Sequence, residues 1–247
     1  ATCAYLGDLS QLVDLRGLEH LVCVWVAGCT ALRDLTPLAG VFFVELSFCD
    51  VEELAPLCEV HSVHLSNCDR VRDLSCLTGV HTLHLEGMDL RSLNLAALEE
   101  SARCLQQVKV VDCQLASALG FGGAHTVDLT GCRLLVDVQS LHRCHTLRLA
   151  CCSELKQVAA LRSVHTLDLS NCSQLDLEEV AQLGDVYSLN LSCTSLRSGA
   201  GLGRVHTLTL DSCAQLSSVA PLAGVHTLSL KYCSQLERIS SLSGLHS

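Results

Sequence analysis

The 247-residue chain is poor in the side chains that ordinarily fill a mixed core: it has eight aromatic residues, one methionine and a single isoleucine, Ile239, against 50 leucines. With 49% hydrophobic residues it can still bury a sizeable interior, so one side-chain shape used this heavily points to one local environment used many times. Positive charge is also scarce. Sixteen Lys and Arg against 26 Asp and Glu give a net charge of −10, which excludes the basic face that a phosphate-backbone binder needs, so no direct nucleic-acid partner is expected. No apolar run approaches the roughly 18 residues of a membrane-spanning helix, and no membrane insertion is expected. The opening residues Ala1-Thr2-Cys3-Ala4-Tyr5 carry neither a basic n-region nor an initiator Met, as expected for a piece of a longer protein.

The motifs of common catalysis are missing as well: there is no GxxxxGK[ST], no dinucleotide glycine fingerprint and no GxSxG. Gly120-Phe121-Gly122-Gly123 stands ahead of a strand, whereas a phosphate loop would precede a helix. The expectation is a protein that is not an enzyme and holds no cofactor. CxxC is absent too, so the 17 cysteines do not spell a zinc ribbon or a thioredoxin-like site. Their odd number and even spacing along a long chain argue for reduced thiols in an intracellular, cytoplasmic setting. Two glycosylation sequons, Asn171-Cys172-Ser173 and Asn190-Leu191-Ser192, fall on segments read below as strands, poor places for a glycan.

What the chain does have is self-similarity. Val205-His206-Thr207-Leu208-Thr209-Leu210-Asp211-Ser212-Cys213 returns as Val225-His226-Thr227-Leu228-Ser229-Leu230-Lys231-Tyr232-Cys233. Twelve units start at residues 1, 21, 41, 60, 80, 105, 124, 144, 164, 186, 205 and 225, and Leu245-His246-Ser247 opens another. Each has apolar residues at positions 1, 4 and 6, usually Cys at 9, and apolar residues again at 12, 15 and 18. Positions 3 to 7 alternate as a half-buried strand does, and the later spacing of three suits a tight, 3₁₀-like return. The three prolines, Pro37, Pro56 and Pro221, each precede the position-18 leucine, outside any ladder. Two longer units carry helix signals over 94–103 and over 176–183, the latter with a capping-box spacing from Asp176 to Glu179.

On these residues the chain resembles the leucine-rich repeat superfamily, with Cys where most members have Asn, as L-x-x-L-x-L-x-x-C. The return segment Leu32-Arg33-Asp34-Leu35-Thr36-Pro37-Leu38 looks like the internalin type, and Val-His-Thr-Leu-x-Leu-x-x-Cys is similar to arrays of protists, notably kinetoplastids. The resemblance covers 1–247 as a single domain. It implies an α/β solenoid, a horseshoe of about 12 turns with a parallel sheet on the concave face and a mostly 3₁₀ or irregular convex side bearing two short helices. It also implies that the sheet is presented to a protein partner. Neither end shows a polar capping sequence, so the array is expected to continue, or to sit end-on against another molecule.

Three columns follow from the repeat. Cys29, Cys49, Cys68, Cys113, Cys132, Cys152, Cys172, Cys213 and Cys233 at position 9 form an internal structural column, with Thr194 taking the site that Cys193 misses by one residue. His61, His81, His125, His145, His165, His206, His226 and His246 at position 2 form a structural column at the sheet edge. Each is expected to hydrogen-bond to a neighbouring turn and to destabilise the array when protonated. Thr82, Thr126, Thr146, Thr166, Ser188, Thr207 and Thr227 at position 3 read as scaffold.

In a repeat protein the exposed departures from the template are the better functional candidates. Tyr5, Trp25, Phe43 and Phe48 fall on concave positions of the first units, whereas Phe42 sits at position 2. Beside them come Glu45, His64 and His84 at successive position-5 sites, then Lys109. Aromatics with a polar rim are the usual anchors of a protein interface, although large side chains also pack together at an atypical terminal region. A metal site on Glu45, His64 and His84 is not expected, because a straight column does not converge on one point. Further on, Asp128, Arg148 and Asp168 alternate in sign as a cross-strand charge ladder or a charged contact. The expected function is a protein-interaction module. The alternatives are a scaffold component of a large multi-subunit assembly and, by analogy with Cys-type repeats, the substrate-recognition arm of a ubiquitin ligase.

Overall fold

A computed structural model describes residues 2–101, 104–239 and 242. The chain divides into two compact units, Ala1–Gln114 with Leu119–Ala124, and Leu115–Ala118 with His125–Ser247. In the first, the period-two segments form β1 (Cys3–Gly7), β2 (Cys23–Ala27), β3 (Phe43–Ser47), β4 (Ser62–Ser66), β5 (Thr82–Glu86) and β6 (Gln107–Val111). In the second they form β7 (Thr126–Asp128), β8 (Thr146–Arg148), β9 (Thr166–Asp168), β10 (Ser188–Asn190), β11 (Thr207–Thr209) and β12 (Thr227–Ser229). Within each unit the strands are parallel and follow chain order, each in register with the next by one repeat. Like positions therefore stack. Val24, Val44, Val63 and Leu83 bury position 4 in the first unit, as Val127, Leu147, Leu167 and Leu189 do in the second, all at 0–1% exposure. A slip of one residue would turn every one of these to solvent, so burial itself fixes the register.

The return segments bear out the spacing of three. Short 3₁₀ turns lie at Thr36–Leu38, Ala55–Leu57 and Ala220–Leu222, each with its proline in the first turn, where no ladder donor is needed. Others occupy Gln139–Arg143, Ala159–Ser163 and Ala181–Leu183. Phe121, in the glycine-flanked return, is completely buried.

The two long units hold the two helices, α1 (Leu95–Ser101) and α2 (Leu177–Val180); Ala102 and Arg103 of the first expected helix lie outside the described residues. Only half of the capping box forms. Asp176 accepts the Glu178 N–H at 2.9 Å, while the Glu179 carboxylate accepts the N–H groups of Val158 and Ala159 at 3.2 and 2.9 Å, tying α2 to the preceding repeat. The repeat that follows each helix carries glycine at position 16. A Cβ on Gly120 would stand 2.1 Å from the Leu95 carbonyl oxygen, and one on Gly201 2.1 Å from that of Ala181.

Strands of the second unit are three residues long rather than five, and in β7, β9 and β10 the polar position-5 side chain supplies a reason. Asp128, Asp168 and Asn190 each accept the N–H two residues on, from Thr130 (3.1 Å), Ser170 (2.9 Å) and Ser192 (3.1 Å). That local turn takes the position-7 donor out of the ladder. Asn171, expected in a strand, instead lies beyond β9 in an exposed left-handed turn (φ 60°).

That turn recurs. Position 8 is left-handed in all twelve units, and in most of them its N–H donates to the position-7 carbonyl of the next repeat, as Phe48 does to Ser66 (2.9 Å) and Asn171 to Ser192 (2.9 Å). Phe48 holds φ 53° with its ring 61% exposed, a conformation that asparagine tolerates better. Phe48→Asn is expected to raise stability by about 0.5–1 kcal/mol in urea melts. An unchanged or lowered midpoint would show that the ring contributes to folding.

Candidate functional site

The alternation that buries positions 4 and 6 leaves position 5 facing outward. In the first unit these residues make one in-register row: Tyr5, Trp25, Glu45, His64, His84 and Lys109. Tyr5 lies flat on Trp25, with centroids 4.3 Å apart and planes at 8°. Trp25 is tilted 42° against Phe43 at 5.1 Å. Phe43, at position 3, meets the His64 ring edge-on at 4.7 Å, and His64 meets His84 edge-on at 5.0 Å. Five of the eight candidates are thus joined in a chain of rings from β1 to β5. Glu45 and Lys109 share its row, and Phe48 stands in the exposed turn after β3.

Beside the rings Glu45, His64, Leu65, Ser66, His84 and Glu86 line a pocket of about 80 Å³. Glu86 was not singled out in the sequence; it stands at position 7, in register with Ser66. Glu45 Oε2 is 3.9 Å from His64 Nδ1, and Glu86 Oε2 is 3.8 Å from His84 Nε2. Burial pushes the His64 imidazole down to about 4, helped by His84 and Lys109; Glu45, beyond hydrogen-bond distance, does not offset this. The ring is therefore neutral at pH 7. Because the unfolded chain takes up this proton first, near the ordinary histidine value of 6.5, stability is full above that value. It falls as the pH drops from about 6.5 toward 4, by about 2 kcal/mol at pH 5. Thermal melts at pH 7.5 and 5 should show the loss, and His64→Gln should reduce it; equal melting temperatures would refute the assignment.

The position-2 column is a stack of flat rings rather than a set of bonds between turns. Phe42, His61 and His81 stack in the first unit at 4.4 and 4.6 Å. In the second, His125, His145, His165, Tyr187, His206 and His226 stack at 4.4–4.7 Å, all within 17° of parallel. The imidazole bonds run to residues one or two positions away along the chain rather than across to a stacked turn, correcting the expected link to a neighbouring turn. His125, His145, His165, His206 and His226 set Nδ1 at 3.1–3.4 Å from the following threonine hydroxyl. His81 turns its Nδ1 to the Gly79 carbonyl at 3.0 Å. The position-3 hydroxyls thus orient the imidazoles. Burial and the neighbouring His165 and His125 lower the affinity of His145 for a proton. Sequence reading missed Phe42 and Tyr187 as members; the signal was a flat ring, not a histidine, at position 2. His246 lies outside the described residues.

The cysteine column is internal. Cys68, Cys152, Cys172, Cys213 and Cys233 donate to the position-6 carbonyl of the repeat before, at 3.1–3.4 Å, with Cys49 at 3.7 Å. Cys113 accepts the Met88 N–H, and Cys29 and Cys132 are fully buried. Thr194 takes the vacated site and donates to Leu191 at 2.7 Å. Burial pushes Cys113 to about 11 and Cys172 to about 12, so these thiols stay protonated and unreactive near neutrality. Among the described residues of the second unit Arg148 pairs with Asp128, at 3.8 Å, and Asp168 serves its own turn. Among the described residues no cluster of three or more His, Cys, Asp or Glu could hold a metal ion.

No family model matches the chain. No curated protein matches it in sequence. Solved structures do match. An internalin (inlF) from Listeria monocytogenes aligns with a TM-score of 0.64 at 16% identity, covering 94% of this chain and 75% of that one. A chain of the mouse RP105/MD-1 complex aligns with 0.63 at 17% identity over 93% of this chain, which spans about half (47%) of its length. The leucine-rich repeat domain of the type III effector XopL aligns with 0.53 at 18% identity, covering 93% and 76%. The fold is the leucine-rich repeat solenoid, as the repeat implied.

Proposed function

We propose that this leucine-rich repeat chain is a protein-interaction module that captures its partner on the outward face of β1–β6. The observation that carries the reading is the chain of rings Tyr5, Trp25, Phe43, His64 and His84, set on a sheet whose register leaves them no freedom to collapse inward. Aromatic side chains on a rigid frame give up little entropy on binding, which is why they anchor interfaces. The solved chain of the RP105/MD-1 complex, a two-protein assembly, is consistent with that use of the fold. We also place the protein in a reducing compartment. The position-9 thiols spend their hydrogens on backbone carbonyls, bonds that oxidation would remove.

Trp25→Ala is expected to weaken partner binding by about 2 kcal/mol, roughly 30-fold, without unfolding the array. Affinity capture with wild type and with a Trp25→Ala, Phe48→Ala pair, each checked by circular dichroism, tests it. Identical captured proteins would refute the interface.

A scaffold role is the second reading. It is favoured by a groove of about 740 Å³ on the return side of the second unit, lined by Gln139, His142, Gln157, Arg162, Ser163 and Glu179 among others. Cross-links concentrated there, rather than near Trp25, would select it.

A further inference from the structure

The face of β1–β6 is not chemically uniform, and its polar part specifies a partner. The pocket beside the rings is bounded by two carboxylates, Glu45 and Glu86, whose side chains are 36% and 52% exposed. Among the described residues neither carboxylate has an arginine or lysine within 4 Å, whereas Asp50, Glu52 and Asp89 in the same unit are paired with Arg33, Arg70 or Arg91. The pocket's other polar walls are His64, His84 and the uncharged Ser66, and the His64 ring is neutral at pH 7, so it offers no positive charge to compete. Lys109 is the one cation of the row; it lies one strand beyond His84 and more than 4 Å from both carboxylates. The walls thus favour a cation. The volume, about 80 Å³, suits the head of one side chain, and a metal ion finds no converging ligand set there.

Taking the interface proposed above as its premise, we infer that the partner inserts a lysine or arginine side chain between Glu45 and Glu86 while an apolar residue of the same segment lies on Trp25 and Phe43. Parallel strands are about 4.8 Å apart, so Trp25 on β2 stands roughly 10 Å from a pocket centred on β4. An extended segment covers that distance in about three residues. The recognised element is an apolar residue followed about three positions later by a basic one. The chain's net charge of −10 favours such a partner at long range.

Trp25 is the only tryptophan in the chain, so its fluorescence reports this face alone. Acetyl-Ser-Phe-Gly-Ser-Arg-Ser-amide, its Lys form and its Gln form are titrated into the intact protein at pH 7.5. The Arg or Lys peptide is expected to bind at least tenfold more tightly than the Gln peptide, and the stronger of the two identifies the side chain. A Glu45→Gln, Glu86→Gln pair should abolish that preference, Lys109→Gln should widen it, and 0.5 M salt should narrow it. Equal binding of the Gln peptide, or no response to any peptide up to millimolar concentration, overturns the basic occupant. In either case the interface still stands if Trp25→Ala abolishes affinity capture; if it does not, the interface falls and this inference with it.

Discussion

Leu147→Ala is expected to destabilise the protein by about 3–5 kcal/mol and to lower its melting temperature by roughly 10 °C. Leu147 is the central residue of β8, at 0% exposure, in register with Val127 on one side and Leu167 on the other. Both neighbours belong to strands of the same ladder, so neither can move into the space without breaking its own hydrogen bonds. The cavity therefore stays open, and the cost lies toward the upper part of the range for leucine truncation. Stability in a stacked array depends on nearest-neighbour interfaces, and this one change damages two of them. Leu147→Met, which keeps the volume, should cost less than about 1.5 kcal/mol. A loss below 1 kcal/mol for the alanine variant, read from urea midpoints at constant slope, would show that the repeats relax around the gap and that the packing is looser than the burial implies.

The repeated burial explains why so much of the fold could be read from the amino acids. Apolar residues at positions 4 and 6 demand a strand with one wet side, and a constant repeat length then aligns each strand with the next. Tyr5, Trp25, Glu45, His64, His84 and Lys109 could accordingly be placed in one row by counting. What counting could not supply was orientation. Phe43 is at position 3, yet its ring bridges Trp25 and His64, because ring direction depends on side-chain torsions that periodicity does not encode. The same holds for the position-2 stack, whose members share flatness rather than a residue type. Asp128, Arg148 and Asp168 looked like a charge ladder, but among the described residues Arg148 pairs with Asp128 and not with Asp168, and each aspartate also accepts a backbone N–H of its own turn. Glu86 escaped notice because it departs from the template at position 7, where the other first-unit strands carry small residues or valine and no pattern draws attention.

Close approach of backbone to backbone was equally invisible to hydrophobic counting, and it sets the second large expectation. Gly201→Ala should cost about 3 kcal/mol or more. Two effects add. Gly201 holds φ 81°, a left-handed conformation that charges any Cβ about 1 kcal/mol. The new methyl would also stand 2.1 Å from the carbonyl oxygen of Ala181 and 2.8 Å from its carbonyl carbon and Cα. These are backbone atoms of the 3₁₀ turn Ala181–Leu183, which continues directly from α2, so no rotamer change relieves the clash. The whole helical insertion must shift away, and Val180 and Leu183, both buried, must follow it. The damage should begin locally. Hydrogen exchange in Gly201→Ala should quicken first over Leu177–Leu183, and the Glu179 clamp on Val158 and Ala159 should open before the strands of the second unit lose protection. If exchange rises evenly across the unit, the helix is not seated on Gly201. If stability falls by only the 1 kcal/mol of the backbone conformation, the insertion is free to move, and glycine after each long repeat is required by its dihedral angle alone.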